Sequence, residues 1–203
     1  MNPKVSLVMA VYNGERFLEE SVESILAQSF KDFEFIIIDD GSTDTTLSIL
    51  HAYSNIDPRI KIISNQKNIG LTRSLNKGIG ACSGAYIARM DAGDVSEPER
   101  FTRQVLFLDN NPNCVLLGTW GYVIDEGNKK IGEMKYPTDD RSLKKDLIKY
   151  NPFIHSSIMV RANILKQVGF YNENWIYAQD YELYFRISRC SEVANIADHL
   201  VSY

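Results

Sequence analysis

Two hydrophobic periods alternate along the first half of this 203-residue chain, and that alternation limits its fold more than any other feature. Val5-Ser6-Leu7-Val8-Met9-Ala10-Val11 is an apolar run stopped by Asn13-Gly14. It is too short to span a membrane and reads as a buried strand. Leu18, Val22, Ile25 and Leu26 follow at i, i+4, i+7 and i+8, the stripe of a helix. The same reasoning predicts strands over 33–38, 60–63 and 85–88, with helices over 44–53 and 71–81 between them. Beyond Pro98, Phe101, Val105 and Leu108 share one helix face. Strands apolar on both faces, alternating with helices, build a largely parallel sheet covered on both sides. The expected fold class is therefore α/β.

The second half is less regular. Residues 115–124 predict a long strand, which Asp125-Glu126-Gly127-Asn128 turns back. A polar helix is expected over 140–149, a strand over 155–160 and a helix over 180–189. With no repeat or low-complexity linker, the chain reads as one domain, 1–203. A change of texture at Asn110-Asn111-Pro112-Asn113 separates a half of about 1–110 from one of about 111–203. The formal net charge is −4 with no basic run, which excludes nucleic acid as a partner because phosphate contacts need clustered Lys and Arg. Cys82, Cys114 and Cys190 are odd in number and form no C-x-x-C. They fit reduced thiols rather than a disulfide framework or a zinc site. The N-terminus has no signal-peptide pattern and no transmembrane segment.

Three of the predicted strands end in polar signatures: Tyr12-Asn13, Asp39-Asp40-Gly41-Ser42, and Asp91-Ala92-Gly93-Asp94. Right-handed crossovers bring such ends to one edge of a parallel sheet, where open α/β sheets bind ligands. Asp91 and Asp94, three residues apart across a turn, sit close enough to share one hard cation. Ser96 and Glu99 read as an S-x-x-E capping box starting the next helix. Asp40 reads either as a ligand contact or as a cap of the helix that follows it. No G-x-G-x-x-G or G-x-x-x-x-G-K follows any strand, which counts against dinucleotide oxidoreductases and phosphate-loop kinases. Carboxylates repel phosphate unless a divalent cation bridges them, so a nucleotide bound through a metal is the consistent reading.

With Gln179-Asp180-Tyr181-Glu182-Leu183 near the C-terminus, these segments resemble, in order and spacing, a bacterial family-two glycosyltransferase. The resemblance implies a GT-A fold, Rossmann-like, with a mostly parallel central sheet flanked by helices and a smaller C-terminal acceptor lobe. It implies an inverting transfer from a nucleotide-diphosphate donor, a UDP-sugar, to a hydroxyl of a glycan or lipid-linked acceptor in surface polysaccharide synthesis. It also implies a divalent cation, Mn2+ or Mg2+. Ala10, Val11 and Tyr12 resemble the segment along the nucleoside base, Asp40 the acceptor of the uracil imide, and Arg73 a basic residue within reach of the diphosphate. Asp91 resembles a carboxylate on the donor and, with Asp94, the metal ligands. Gly93 departs from the fuller Asp-x-Asp-Asp pattern, so the ligand set differs from that pattern.

Asp180 is the candidate catalytic base, because Asp180, Leu183, Tyr184 and Ile187 fall on one stripe of its helix. His155 and Ser156 resemble a segment near the donor sugar, and Glu182 is a candidate acceptor contact. Two alternatives stand beside this reading. A sugar nucleotidyltransferase needs a Gly-rich basic loop after its first strand, and Tyr12-Asn13-Gly14-Glu15 is neither. A non-catalytic nucleotide-sugar-binding module, or a lobe of a larger synthase, would bind without turnover. Relatives continue past Tyr203, so a truncated catalytic domain is expected, cytoplasmic, with peripheral association at the inner face of the membrane left open. Sugar, acceptor linkage and oligomeric state are not legible.

Overall fold

The computed structural model describes residues 2–203. Its first half runs β1 (Val5–Val11), α1 (Leu18–Leu26), β2 (Phe33–Asp39), α2 (Thr46–Ile56), β3 (Ile60–Ser64), α3 (Leu71–Gly80) and β4 (Tyr86–Arg89). Then come β5 (Val95–Ser96), α4 (Arg100–Asn110), β6 (Cys114–Ile124), β7 (Lys130–Met134) and α5 (Asp140–Asp146). A 3-10 turn (His155–Ser157) leads to β8 (Met159–Arg161), α6 (Ala162–Val168), α7 (Gln179–Ser188) and β9 (Glu192–Ser202).

One sheet passes through both halves in the order β3-β2-β1-β4-β8-β6-β9-β5, with β7 paired to β6. Strands β3, β2, β1 and β4 are all parallel. The β6–β9 pair is also parallel, while β8 and β5 pair antiparallel with their neighbours. Side chains alternate across β1 as a strand requires. Val5, Leu7, Met9 and Val11 pack on one face with Leu18, Val22, Ile25, Leu50 and Phe101. Val8 and Ala10 pack on the other with Leu75, Ile79, Leu183 and Ile187. Two-sided burial of this kind is what makes β1 and β2 read as near-continuous apolar runs, interrupted by Ser6 and Glu34. A buried polar knot ties the layers together: Glu34 accepts from Ser6 Oγ, from Lys61 Nζ at 2.7 Å, and from the Ser83 N–H and Oγ at 2.8 Å each.

Several local expectations are corrected. Ser96 does not cap a helix: it pairs with Val201 in the sheet, its N–H donates to Ser24 Oγ, and Gln28 Nε2 donates to its hydroxyl. Helix α4 starts four residues later and has no side-chain cap. The 155–160 strand is broken, because the 3-10 turn at 155–157 turns Ser156 Oγ toward the end of β4 and leaves only Met159–Arg161 extended. The helix expected over 140–149 ends at Asp146. The long strand β9 and helix α6 were not anticipated at all.

Candidate active site

The ends of β1, β2 and β4 lie side by side, since Val11 registers with Asp39 and Val8 with Arg89. Asp40 is 3 % exposed. Its Oδ1 accepts from Asn65 Nδ2 at 2.8 Å and from Ile69 N–H at 2.9 Å, and its Oδ2 accepts from Gly70 N–H at 2.9 Å. Asp40 therefore caps the approach to α3, not the helix after it. Thr46 N–H at the start of α2 is served instead by Asp44 Oδ1 at 3.0 Å. Gly41 is forced by the same anchoring. Its φ is +74°, and a Cβ there would lie 2.5 Å from the Lys67 carbonyl carbon. An ionised carboxylate offers about four acceptor positions, so Asp40 keeps one beyond its three protein donors.

Ala10 and Val11 are buried and Tyr12 is half exposed; together with Asn13, Gly14 and Phe17 they line an open cleft that Asp91 closes. Arg73 lies on a neighbouring surface groove with Trp175, where its Nε is 3.5 Å from Glu173 Oε2. Both of its partners are largely solvated, so this pair is weak.

Asp91 stands at the centre of the site. Arg89, 2 % exposed, grips both oxygens of the Asp91 carboxylate through Nη1 and Nη2. Burial pulls the Arg89 pKa down, but the adjacent Asp91 charge outweighs it and the guanidinium stays charged. Ser156 Oγ accepts from Arg89 Nη1 at 3.1 Å and from the Asp91 N–H at 3.0 Å, and donates to Asp94 Oδ2. Burial pushes the Asp94 carboxyl up to about 6, against the opposing pull of the Ser156 hydrogen bond. Behind them Arg100 is fully buried, its pKa drawn down to about 9 by burial and by Arg89. Gly93 has φ +105°, a conformation that a side-chain-bearing residue adopts only under strain.

The fit to a cation is partial but workable. Among the described residues no group of three His, Cys, Asp or Glu is arranged to hold a metal. Asp94 is hydrogen-bonded and set back. The Asp91 side chain is 41 % exposed on the cleft. One carboxylate with diphosphate oxygens and waters is a magnesium-type donor set, so the site suits a cation that arrives with a diphosphate.

Asp180 is half-buried at the amino end of α7, above the buried Leu183, Tyr184 and Ile187. Ala178, in the left-handed region, is the residue that heads the helix, so Asp180 is not its cap. Asp180 Oδ2 accepts from Asn151 Nδ2 at 2.8 Å. Burial pushes the phenols of Tyr171 and Tyr184 up, and the charges of Asp180 and Asp91 add to the shift, which puts both carboxylates within electrostatic reach of these tyrosines. His155 Nε2 meets Tyr171 Oη at 2.9 Å, and burial with the nearby Arg89 holds its pKa well below the ordinary value. Glu182 faces away from the site. It pairs with Arg186 at 2.6 and 2.7 Å, and Arg186 in turn ties down the carbonyls of Val168, Gly169 and Phe170.

Asp91 also lines a second pocket, whose walls include Asp94, Tyr136, Phe153, Ile154, Ser156 and Tyr203. Arg89, Tyr136 and Asn151 escaped the sequence reading. A signal for Arg89 existed: residues two apart at a strand end face the same way, so Arg89 and Asp91 were bound to meet.

Residues 6–169 match the family model for glycosyl transferase family 2. The chain belongs to that family. An uncharacterized glycosyltransferase of Haemophilus influenzae is 37 % identical over 99 % of this chain and 65 % of its own length. The O-antigen biosynthesis glycosyltransferase WbnJ of Escherichia coli is 34 % identical over 98 % of the chain and 78 % of its own. Among solved structures, S. aureus TarS 1–349 in complex with UDP superposes with a TM-score of 0.83 at 21 % identity, covering 98 % of this chain and 60 % of that one. The mannosyltransferase PcManGT of Pyrobaculum calidifontis, in complex with GDP-Man and Mn2+, gives 0.77 at 16 %, covering 100 % and 57 %. At such identities these two show the fold, GT-A. The chain thus spans somewhat under two thirds of the Haemophilus relative. No helix of the described residues is long and apolar enough to cross a membrane.

Proposed function

We propose that this chain is the donor-binding and catalytic part of an inverting, metal-assisted hexosyltransferase. It moves a sugar from a UDP-sugar to a hydroxyl of a glycan or lipid-linked acceptor in bacterial surface polysaccharide synthesis. The observation that carries the reading is the position of Asp91, which lines both the Tyr12 cleft and the second pocket. The O-antigen role of WbnJ supports the polysaccharide context, UDP in TarS supports the donor, and Mn2+ in PcManGT supports the cation.

In this reading the nucleoside lies along Ala10, Val11 and Tyr12, and the free acceptor position of Asp40 takes an imide N–H. Asp91 would hold the cation, and Arg73, on the groove beside Trp175, is the basic residue offered to the diphosphate. When bound, the cation supplies neutralisation of the leaving diphosphate. Ser156 and Arg89 keep Asp91 aimed at the cleft. The acceptor hydroxyl sits behind the anomeric carbon, and Asp180 takes its proton through Oδ1 while Asn151 holds Oδ2. A single displacement inverts the anomeric centre and needs no carboxylate nucleophile. The first half, to about residue 110, carries the nucleotide, and the second carries the acceptor side.

The test is calorimetric titration with UDP and GDP, with Mn2+ or a chelator. The expected result is UDP binding that is tighter with Mn2+ and stronger than GDP. Equal affinity for both nucleotides would reject the UDP assignment.

A further inference from the structure

Arg89 Nε and Tyr184 Oη are buried and have no hydrogen-bond partner among the described residues, and their side chains line one small cavity between β4 and α7. The two side chains are 2 % and 0 % exposed. The other Arg89 nitrogens are engaged: Nη1 and Nη2 grip Asp91, and Nη1 also donates to Ser156 Oγ. Tyr171, the third polar side chain of the lining, is fixed at both ends. Asn76 exchanges hydrogen bonds with its backbone at 2.9 and 3.0 Å, and its Oη meets His155 Nε2 at 2.9 Å. The remaining lining residues are aliphatic, so they offer the Arg89 Nε–H no side-chain acceptor. The cavity leaves about 10 Å³ for the centre of a water-sized sphere, room for one water and nothing larger. A purely apolar cavity of that size stays dry. This one differs, because a buried N–H on a charged group is costly without an acceptor, and two polar partners are enough to hold a water.

We propose that this cavity is the site of one ordered water, which accepts from Arg89 Nε and donates to Tyr184 Oη, and that Tyr184 acts through it as a positioning residue for Asp91. An ion does not suit the site. The guanidinium repels a cation, and the volume excludes a polyatomic anion. Tyr184 lies four residues after Asp180, about one turn further along α7. The water therefore ties the helix that carries Asp180 to the guanidinium that holds Asp91. With Nε held by the water and both Nη atoms by Asp91, the plane of the guanidinium is fixed, and the Asp91 carboxylate takes its orientation from that plane. The positioning role rests on the reading of Asp91 as the cation's carboxylate; the water site does not.

The experiment has two parts. A crystal structure of the wild-type chain at about 1.5 Å should show one water peak within about 3.2 Å of both Arg89 Nε and Tyr184 Oη. A dry cavity, or an Arg89 Nε that has turned to a protein acceptor, would overturn the water site and with it the role of Tyr184. The second part titrates UDP, with Mn2+ and with a chelator, into wild type and Tyr184→Phe, which keeps the ring and removes the hydroxyl. The gain in UDP affinity from Mn2+ should fall by about 3-fold, less than the 10–100-fold typical when a direct partner of a metal ligand is lost. Affinity in chelator should stay unchanged, which a general loss of structure would not allow. An unchanged Mn2+ gain in the variant would overturn the positioning role and leave the water as a filler of the core. Wild type without any Mn2+ gain would overturn the cation reading and the positioning role together, while the density alone still decides the water site.

Discussion

Asp40→Asn is the sharpest test of how this site is built. The carboxylate takes three hydrogen bonds at 2.8–2.9 Å while 3 % exposed. An amide has one oxygen. Placed at the Oδ1 position, that oxygen keeps Asn65 and Ile69 but turns an NH2 group onto the Gly70 N–H. Flipped, it keeps Gly70 and leaves two donors facing an NH2. The better arrangement loses one charge-assisted hydrogen bond and leaves the Gly70 N–H with Asn68 Oδ1 at 3.0 Å as its one acceptor, so the substitution should cost about 1.5–3 kcal/mol. At about 2–4 °C per kcal/mol for a chain of this size, the melting temperature should fall by roughly 3–12 °C. This loss precedes any ligand, because Asp40 holds the 65–70 loop and α3 in the free protein. UDP affinity should fall further, by about 1–3 kcal/mol, as the remaining acceptor position disappears. The assay is urea and thermal unfolding without nucleotide, followed by UDP calorimetry on the folded variant. A stability within about 0.5 kcal/mol of wild type would refute the anchoring argument, since surface changes alone stay inside that range.

Asp180→Asn should lower turnover by about two to four orders of magnitude while UDP affinity and melting temperature stay close to wild type, because Ala178 and not Asp180 heads the helix; full activity would reject Asp180 as base. Chelation should weaken UDP binding by about 10-fold or more, as should Asp91→Asn, a milder change than Asp91→Ala, which would strand the buried Arg89 charge at about 3–5 kcal/mol. No effect of chelator on the wild type would rule out the cation. Glu34 sets an acid limit: burial raises its pKa, but Lys61, Ser6 and Ser83 together bring it from 4.5 to about 2. Its contribution is complete above pH 4.5 and is lost as pH falls toward 2, amounting to about 2 kcal/mol after allowing for the exposed Lys61 partner. The gap in urea stability between wild type and Glu34→Gln should therefore narrow over that window; a pH-independent gap would refute it. Gly93→Asp, which restores a carboxylate at the position where the fuller motif has one, should cost about 1–2 kcal/mol because of the positive φ; an unchanged urea midpoint would contradict that strain.

Much of the architecture was written into hydrophobic period. β1 and β2 are buried on both faces, so their seven-residue runs are apolar apart from the hydrogen-bonded Ser6 and Glu34 and the site-facing end at Asp39. Helices α1 and α4 show the faces marked by Leu18, Val22 and Ile25, and by Phe101, Val105 and Leu108. Local pattern plus right-handed connection was enough to bring Tyr12, Asp40 and Asp91 to one edge. The misses have a common cause. Ser96 has the residues of a helix cap, but Val201, more than a hundred residues away, offered a strand partner, and sheet pairing took precedence. Ser156 sits in the 155–160 segment that reads as strand, yet its hydroxyl is the point where Asp91, Asp94 and Arg89 meet, and the backbone there is a 3-10 turn. The order of the sheet beyond β4, the three donors on Asp40 and the meeting of Asp91 and Asp94 with Tyr136 and Tyr203 in the second pocket are likewise long-range. Periodicity reports which face of an element is dry. Which groups meet across that dry space depends on contacts between segments far apart in the chain, and those exist only once the sheet has closed.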